Sequence, residues 1–205
     1  MQNLYGFLLN IFFPFIVILI YFRKIIGKED SKRFKEKIFI EKKIKKNKKN
    51  NLIWFHAASI GEVLSIIPLI KKIQKKKSKV EFLVTTTTLS SSKLIAKESK
   101  NIKNLHHKFL PIDSLKLVKN FLDNWKPKLA IFVDSEIWPN FLFEIKKKKV
   151  PLVLINGRIT KKTFNRWLFF STFAKKIFNT FDLCFASSAE SKKSLEYLRG
   201  KKVKY

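Results

Sequence analysis

The chain has 205 residues, 46% of them hydrophobic, which suits one domain with an added segment and excludes a large two-lobed enzyme. The one cysteine, Cys184, excludes a disulfide scaffold or a Cys-rich zinc module and indicates a reducing compartment. The chain carries 44 Lys and Arg against 15 Asp and Glu, a formal net charge of +29.

The positive charge is almost all lysine. Lys is a strongly hydrated point charge, which suits diffuse attraction to an anionic membrane at least as well as the reading of nucleic acid. A genome rich in A and T would also give a chain rich in Lys, Ile, Asn and Phe, and composition leaves that explanation open. The sequence has no nucleic-acid recognition motif and little Arg, so we expect no nucleic-acid partner.

Residues 1–22 carry no charged side chain, and a mostly apolar segment of this length is just long enough to cross a bilayer. Arg23 and Lys24 follow at once, and this order predicts an uncleaved anchor with the rest of the chain on the cytoplasmic side. We therefore assign residues 1–27 to a membrane helix. Pro14 and Asn10 leave open whether it spans or lies in the interface, and a buried core helix is the alternative.

Residues 28–50 are strongly basic, and we predict a short basic helix followed by a linker beside the anchor. Lysines at this place can each add about 1 kcal/mol of attraction to an anionic leaflet. A merely solvated loop explains the second half of this segment equally well.

Residues 51–205 alternate short apolar runs with stretches of helical periodicity, which predicts a Rossmann-like α/β domain with a parallel sheet and helices on both faces. The predicted strands are 52–57, 80–85, 108–111, 129–133, 150–156 and 183–186. The predicted helices are 63–77, 90–100, 114–125, 140–149, 164–178 and 188–198. Ligands of such sheets bind at the carboxyl ends of the strands, so the residues after each strand are the candidates for chemistry.

His56 lies near the end of the first predicted strand, and Ser59, Gly61 and Glu62 follow in the turn to the next helix. A carboxylate in the first helical turn is favoured by the helix dipole, and a capping role is the simpler interpretation of Glu62. The same carboxylate could act as a general base facing a cleft. His56 is equally compatible with the core and with a site.

Two carboxylates, Asp134 and Glu136, follow the fourth predicted strand, and Trp138 and Asn140 come directly after them. Carboxylates at the exit of a buried strand need solvent, a cation or a polar ligand. We therefore favour a functional role for this segment over a structural one.

Hydroxyl and cationic groups follow two further strands. Thr86 and Thr87 could bind sugar hydroxyls or phosphate, although strand propensity and capping explain them as well. Asn156 and Arg158 follow the fifth strand, and Arg158 suits a phosphate or carboxylate. The three histidines lack metal-ligand spacing, and no P-loop, dinucleotide fingerprint or nucleophile elbow is present.

Five segments in this order resemble the N-terminal half of the bacterial 3-deoxy-D-manno-octulosonic acid (Kdo) transferases of lipopolysaccharide synthesis. They are Trp54-Phe55-His56-Ala57-Ala58-Ser59-Ile60-Gly61-Glu62-Val63, Leu83-Val84-Thr85-Thr86-Thr87-Thr88, Leu110-Pro111-Ile112-Asp113, Ser135-Glu136-Ile137-Trp138-Pro139-Asn140 and Leu154-Ile155-Asn156-Gly157-Arg158-Ile159. The resemblance implies the acceptor half of a two-domain glycosyltransferase of the GT-B kind. In that family the N-terminal domain holds a lipid A precursor and the C-terminal domain holds the donor, CMP-Kdo.

By this resemblance Glu62 is the general base and Glu136 a second catalytic carboxylate, without metal or organic cofactor. The residues assigned to acceptor binding are Ser59, Gly61, Thr86, Thr87, Trp138, Asn140, Asn156 and Arg158. The resemblance also places the protein at the cytoplasmic face of the bacterial inner membrane, bound to anionic lipid. The sequence stops at Tyr205, where the family continues into the donor domain, so we expect the chain alone to be inactive. A non-catalytic module that binds anionic lipid is the alternative.

Overall fold

The structure is a computed structural model that describes residues 2–40, 51–77 and 79–205. Within these residues, six strands pair in parallel to form one sheet in the order β3-β2-β1-β4-β5-β6. The strands are β1 (Asn51–His56), β2 (Val80–Thr86), β3 (Leu105–Phe109), β4 (Leu129–Val133), β5 (Leu152–Gly157) and β6 (Leu183–Ala186). This is the strand order of a Rossmann fold, and it confirms the predicted fold class.

The described part of the chain also forms eight α-helices. They are α1 (Gln2–Ile25), α2 (Ile60–Lys76), α3 (Leu89–Glu98), α4 (Leu115–Trp125), α5 (Pro139–Lys147), α6 (Lys161–Phe169), α7 (Ser171–Phe178) and α8 (Ala189–Arg199). One face of the sheet packs against α2 and α3. The other face packs against α4, α5, α7 and α8, so the sheet is buried on both sides.

The central strand β1 supplies both halves of the core because successive side chains point to opposite faces. Trp54 is fully buried on one face, with its ring 5.0 Å from that of Phe121. Phe55 is fully buried on the other face, in the cluster that contains Ile66 and Ile70 of α2. A strand buried on both faces needs a continuous apolar run, which is why this segment lacks polar alternation.

Most predicted elements are shifted at their ends by one to three residues, as in α2, which begins at Ile60 rather than at residue 63, and two differences have a clear physical reason. The third strand runs from Leu105 to Phe109, three residues before its predicted start, because an edge strand that includes the exposed His106 has no apolar run. The predicted helix over 164–178 is two helices, α6 and α7, which meet at Phe170 (φ −118°, ψ 42°). Phe169 lies 86% exposed at this corner.

The basic segment after α1 forms a 3₁₀ helix over Arg33–Lys37, and the predicted linker over residues 41–50 lies outside the described residues. The predicted division into residues 1–27, 28–50 and 51–205 stays a prediction.

Helix α1 is long and apolar enough, by length and composition, to cross a membrane. Its inward face packs against the 3₁₀ helix segment, with Ile20 buried beside Phe34 and Ile38, and this cluster also contacts Ile112 of the domain. Its outward face exposes large apolar side chains at helical spacing, among them Leu4, Phe7, Ile11, Phe15, Ile18, Phe22 and Ile25. The alternative of a buried core helix is therefore wrong for this segment.

Both ends of α1 contact later parts of the chain, the first the domain and the second the 3₁₀ helix. Near its start, the Tyr5 hydroxyl donates a hydrogen bond to Asp113 at 2.9 Å, and the Tyr5 ring lies 6.4 Å from that of Phe173 in α7. Near its end, the Tyr21 ring lies 5.0 Å from that of Phe34. These contacts are about 24 Å apart along the helix, at 1.5 Å per residue.

A buried ion-pair chain ties the end of α1 to the end of β2. Arg23 donates to Glu29 at 2.8 Å, and the Lys37 ammonium donates to the other Glu29 oxygen and, at 2.8 Å, to the carbonyl of Thr87. The Glu29 side chain is only 2% exposed and that of Lys37 is 9% exposed. Burial lowers the pKa of Lys37, while the hydrogen bond and charge of Glu29 oppose that change.

We expect Lys37→Met to lower the free energy of unfolding by about 3 kcal/mol, because it leaves the buried Glu29 carboxylate with one partner. The control is Lys71→Met, which breaks an ion pair with Glu98 whose lysine side chain is 42% exposed, at an expected cost below about 1 kcal/mol. Urea denaturation of the full chain in a nonionic detergent measures both. Equal effects of the two variants would contradict the expectation.

Candidate active site

The site lies where the strand order reverses, between β1 and β4. The chain leaves β1 through α2 towards β2, and it leaves β4 through α5 towards β5, on the opposite side. The two loops therefore diverge and leave a crevice at the carboxyl ends of the paired strands, where ligands of such sheets bind. Glu62 stands on one side of this crevice, at the start of α2, and Glu136 stands on the other, in the loop before α5.

Glu62 takes part in the cap of α2. The Glu62 N–H donates to the Ser59 hydroxyl, and the Glu62 carboxylate in turn accepts from that hydroxyl at 2.7 Å and from the Ala58 N–H at 2.8 Å. This is a variant of the capping box: Ser59 accepts the Glu62 N–H as usual, but the Glu62 carboxylate accepts the N–H of Ala58 rather than that of Ser59. The capping role proposed from the sequence is thus present, and it fixes the carboxylate at the mouth of the crevice.

Partial burial raises the pKa of Glu62 above its ordinary value, and the nearby negative charge of Glu136 adds to the rise. The hydrogen bonds from Ser59 and Ala58 and the proximity of His56 act in the opposite direction without cancelling it. A carboxylate with a raised pKa is a stronger base, so the cap and proton abstraction are compatible roles.

Glu136 is held by two side chains from different parts of the fold. The Trp138 indole N–H donates to Glu136 Oε2 at 2.9 Å, and His56 Nε2 lies 3.3 Å from the same oxygen. The Trp138 indole nitrogen also lies 3.2 Å from His56 Nε2, so the three groups form one compact cluster. His56 comes from the end of β1, and the other two come from the loop after β4.

The second ring nitrogen of His56 fixes the imidazole inside the sheet. His56 Nδ1 lies 3.0 Å from the Thr85 hydroxyl and 3.2 Å from the Thr85 carbonyl. The Trp54 indole N–H donates to the same hydroxyl at 2.9 Å. His56 and Thr85 are both fully buried. The sequence left open whether His56 belongs to the core or to the site. In the structure it is a core residue, and the Nε2 edge of its ring contacts Glu136 at the crevice.

Burial alone would raise the pKa of Glu136, but the hydrogen bond and charge of His56 and the hydrogen bond from Trp138 outweigh it and lower that pKa. The two carboxylates of the crevice thus have pKa values shifted in opposite directions. Such a divided pair is typical of sites in which one carboxylate exchanges protons while the other stays ionised.

Among the residues that the structure describes, no three His, Cys, Asp or Glu side chains come together in a way that could hold a metal ion.

Comparison with known families matches residues 32–205 to the 3-deoxy-D-manno-octulosonic-acid transferase (kdotransferase) model. The chain belongs to the Kdo transferase family.

Curated Kdo transferases of two Rickettsia species illustrate the relationship. One from Rickettsia bellii is 41% identical over 167 residues, 82% of this chain and 39% of that protein. One from Rickettsia typhi is 32% identical over 223 residues, 88% of this chain and 48% of that protein. The chain spans less than half the length of these relatives. A solved UDP-GlcNAc 2-epimerase from Neisseria meningitidis is 17% identical, with a TM-score of 0.48 over 70% of this chain and 42% of that one.

The structure places the other residues predicted from the Kdo transferase resemblance at different depths. Gly61 is exposed at the start of α2, beside Ser59. The Thr87 hydroxyl donates to the Ala58 carbonyl at 3.3 Å, close to the Glu62 cap. Thr86 is fully buried and its hydroxyl lies 2.9 Å from His107 Nε2, which leaves it outside the crevice. Acceptor binding by these residues stays a prediction.

Asn140 is 3% exposed, and its side-chain amide donates to the backbone carbonyl of Asp113, so it supports the start of α5. Asn156 is exposed within β5, one residue before its end, and Arg158 is exposed directly after the strand. Arg158 lines a cavity of about 200 Å³ together with Asp134, Ser135, Ile137, Leu154, Ile159, Thr163, Trp167, Phe178 and Leu195. This cavity adjoins the Glu136 loop through Asp134 and Ser135.

Sequence reasoning missed two residues that shape this Kdo transferase site. Thr85 orients His56 but stands in a run of four threonines that offered no way to single it out. Asp113 accepts hydrogen bonds from two backbone N–H groups of α5, 27 and 28 residues further along the chain. One available signal was the start of α5, where Trp138 stands at the N-cap position, normally held by a capping residue, and Pro139 is the first helical residue.

We expect His56→Ala to raise the pKa of Glu136, because it removes the hydrogen bond and charge that hold that pKa down against burial. Carbon-13 NMR titration of Glu136 in the full chain measures the change. His106→Ala is the matched control, because its ring is exposed and lies 3.7 Å from a different carboxylate, Glu81. An unchanged Glu136 titration in folded His56→Ala would refute the role of His56.

Proposed function

We propose that this chain is the acceptor half of a Kdo transferase that moves Kdo from CMP-Kdo to a lipid A precursor in lipopolysaccharide synthesis. The observation that carries the proposal is the pair Glu62 and Glu136, on opposite sides of the crevice in a chain of the Kdo transferase family.

In the proposed reaction, the Glu62 carboxylate takes the proton of an acceptor hydroxyl. The hydroxyl oxygen then forms a bond to the anomeric carbon of Kdo, and the bond from that carbon to the phosphate oxygen breaks. CMP leaves with the electron pair. Glu62 suits the role because its pKa is raised and its position is fixed by the cap of α2.

Glu136 has a different proposed role, although the resemblance grouped both carboxylates as catalytic. Its contacts with His56 and Trp138 keep it ionised, and its negative charge contributes to the raised pKa of Glu62. The cluster thus raises the pKa of the base and leaves the Glu136 side chain, which is 26% exposed, accessible to the acceptor sugar. This division of roles needs neither a metal nor an organic cofactor.

The donor would bind in a second domain across the crevice. The relatives are more than twice as long as the region they share with this chain, which supports a further domain in the working enzyme. The two-domain GT-B arrangement and the inactivity of this chain alone remain part of the proposal.

For the membrane, we propose that α1 lies in the interface of the cytoplasmic leaflet rather than crossing the bilayer. Tyr5 contacts the domain and Tyr21 contacts Phe34 of the 3₁₀ helix, and these two contacts span about 24 Å of α1. The hydrocarbon core to be crossed is about 30 Å thick. The outward apolar face, with Phe15 66% exposed, would then face lipid. Arg158 and the many lysines would meet the phosphates of the acceptor and of anionic lipid.

A non-catalytic module on an anionic membrane is the second candidate function. The specific observation in its favour is that both carboxylate oxygens of Glu62 are already engaged in the cap. The net charge of +29 and the outward face of α1 suit lipid binding with or without chemistry.

A chimera separates the two candidates. The chain is joined in frame to the part of the Rickettsia bellii relative beyond the matched region, and transfer of Kdo to a lipid A precursor is followed by mass spectrometry. We expect Glu62→Gln to lower transfer about 10²–10⁴-fold, because Gln retains the cap but cannot take a proton.

Glu190→Gln is the matched control, because Glu190 is an exposed carboxylate in the first turn of another helix, α8. Sedimentation with anionic vesicles should be unchanged in both variants. Full activity of Glu62→Gln would eliminate the base. Absence of transfer by a parent chimera that folds and binds CMP-Kdo would favour the membrane module.

A further inference from the structure

Helix α5 begins without a local cap. Its N-cap residue, Trp138, makes no capping hydrogen bond with its side chain in the described part of the chain, and Pro139 at the first helical position has no N–H. The first backbone donors are therefore those of Asn140 and Phe141. Asp113 accepts both, with Oδ2 2.9 Å from the Asn140 nitrogen and Oδ1 2.9 Å from the Phe141 nitrogen.

Asp113 thus supplies the missing cap from the loop between β3 and α4. The Asn140 side-chain amide returns a hydrogen bond to the Asp113 carbonyl, so residue and helix hold each other at three points. Asp113 is 1% exposed. Burial raises the pKa of Asp113, and three hydrogen bonds to its carboxylate oppose that rise. The resulting pKa is about 6. The positive end of the α5 dipole also favours its charged form.

The third donor to Asp113 is the Tyr5 hydroxyl of α1, at 2.9 Å. The carboxylate that caps α5 therefore also anchors the first turns of the apolar helix. A displacement of α1 from the domain would remove this hydrogen bond.

The first turn of α5 in turn carries one member of the crevice cluster. Trp138 directly precedes Pro139, and its indole N–H donates to Glu136 and lies near His56. A shift of this turn would move the indole relative to both partners. In a pre-organised site a misplacement of about 1 Å can lower the rate about a hundredfold.

We propose that Asp113 is a positioning residue that fixes Trp138 and Glu136 opposite His56, and that Tyr5 makes this placement depend on the seating of α1. For transfer the inference rests on the proposed function. For the placement of Glu136 it stands on the geometry alone.

The first test reads the position of Glu136 by carbon-13 NMR titration of the full chain in detergent. We expect Asp113→Asn to raise the pKa of Glu136, because a looser α5 weakens the hydrogen bonds that hold that pKa down. Asp123→Asn is the matched control, since Asp123 is an exposed α4 carboxylate paired with Lys148. An unchanged Glu136 titration in folded Asp113→Asn overturns the proposal.

A double-mutant cycle tests whether Asp113 acts through Trp138. Trp138→Phe removes the indole donor, so Asp113→Asn should raise the pKa of Glu136 in the parent but add little in the Trp138→Phe background. An equal rise in both backgrounds would show that Asp113 does not work through Trp138, and would overturn the proposal.

The third test measures transfer activity, and with it the contribution of α1. In the chimera we expect Asp113→Asn to lower kcat about ten- to a hundredfold with a smaller change in acceptor KM, and Tyr5→Phe to change kcat in the same direction by less. Unchanged kcat in both variants overturns the positioning of the reaction. If the parent chimera transfers no Kdo while Asp113→Asn still moves the Glu136 titration, the proposed function fails and the placement role stands.

Discussion

The divergence of the chain at the centre of the sheet is the constraint on which the site depends. Parallel pairing of β1 with β4 leaves two loops that must turn away from each other, because their next strands lie on opposite sides. A polar crevice at this point is a consequence of topology rather than of any single side chain. Glu62 lies in the first helical turn after β1, and Glu136 lies in the loop after β4.

Burial and hydrogen bonding then give two glutamates opposite properties. Glu62 keeps a raised pKa because its donors are a hydroxyl and a backbone N–H, which do not cancel burial and the charge of Glu136. Glu136 has a lowered pKa because an imidazole anchored deep in the sheet lies at 3.3 Å. The difference between them depends on His56, whose second nitrogen is held by Thr85.

The sequence predicted most of the sheet, because central parallel strands need continuous apolar runs. The strand over 129–133 is observed at those residues. The edge strand β3 was placed too late, since half-exposed strands lack that signal. The break at Phe170 was missed because neither Gly nor Pro marks it.

In the candidate site, too, the sequence predicted only what a local pattern or the strand order indicates. Glu62 and Glu136 were singled out because they follow strand ends, where the sheet topology places ligands. The catalytic roles came from the family resemblance and stay a prediction. The contact of Asp113 with the start of α5 was not predicted, because it joins residues 27 positions apart and depends on how the segments pack. The link from Tyr5 to Asp113 spans 108 residues and no local pattern encodes it.

The register of the sheet also has a consequence for biosynthesis. β1 is the first strand to be made and lies at the centre of the sheet, and its residue Ile53 pairs with Leu129. The ribosome needs on the order of 4–15 s to add the intervening residues at about 5–20 residues per second. Until β4 is made, the edge of β1 that pairs with it has no partner, so a nascent chain stalled before β4 would be a substrate for chaperones.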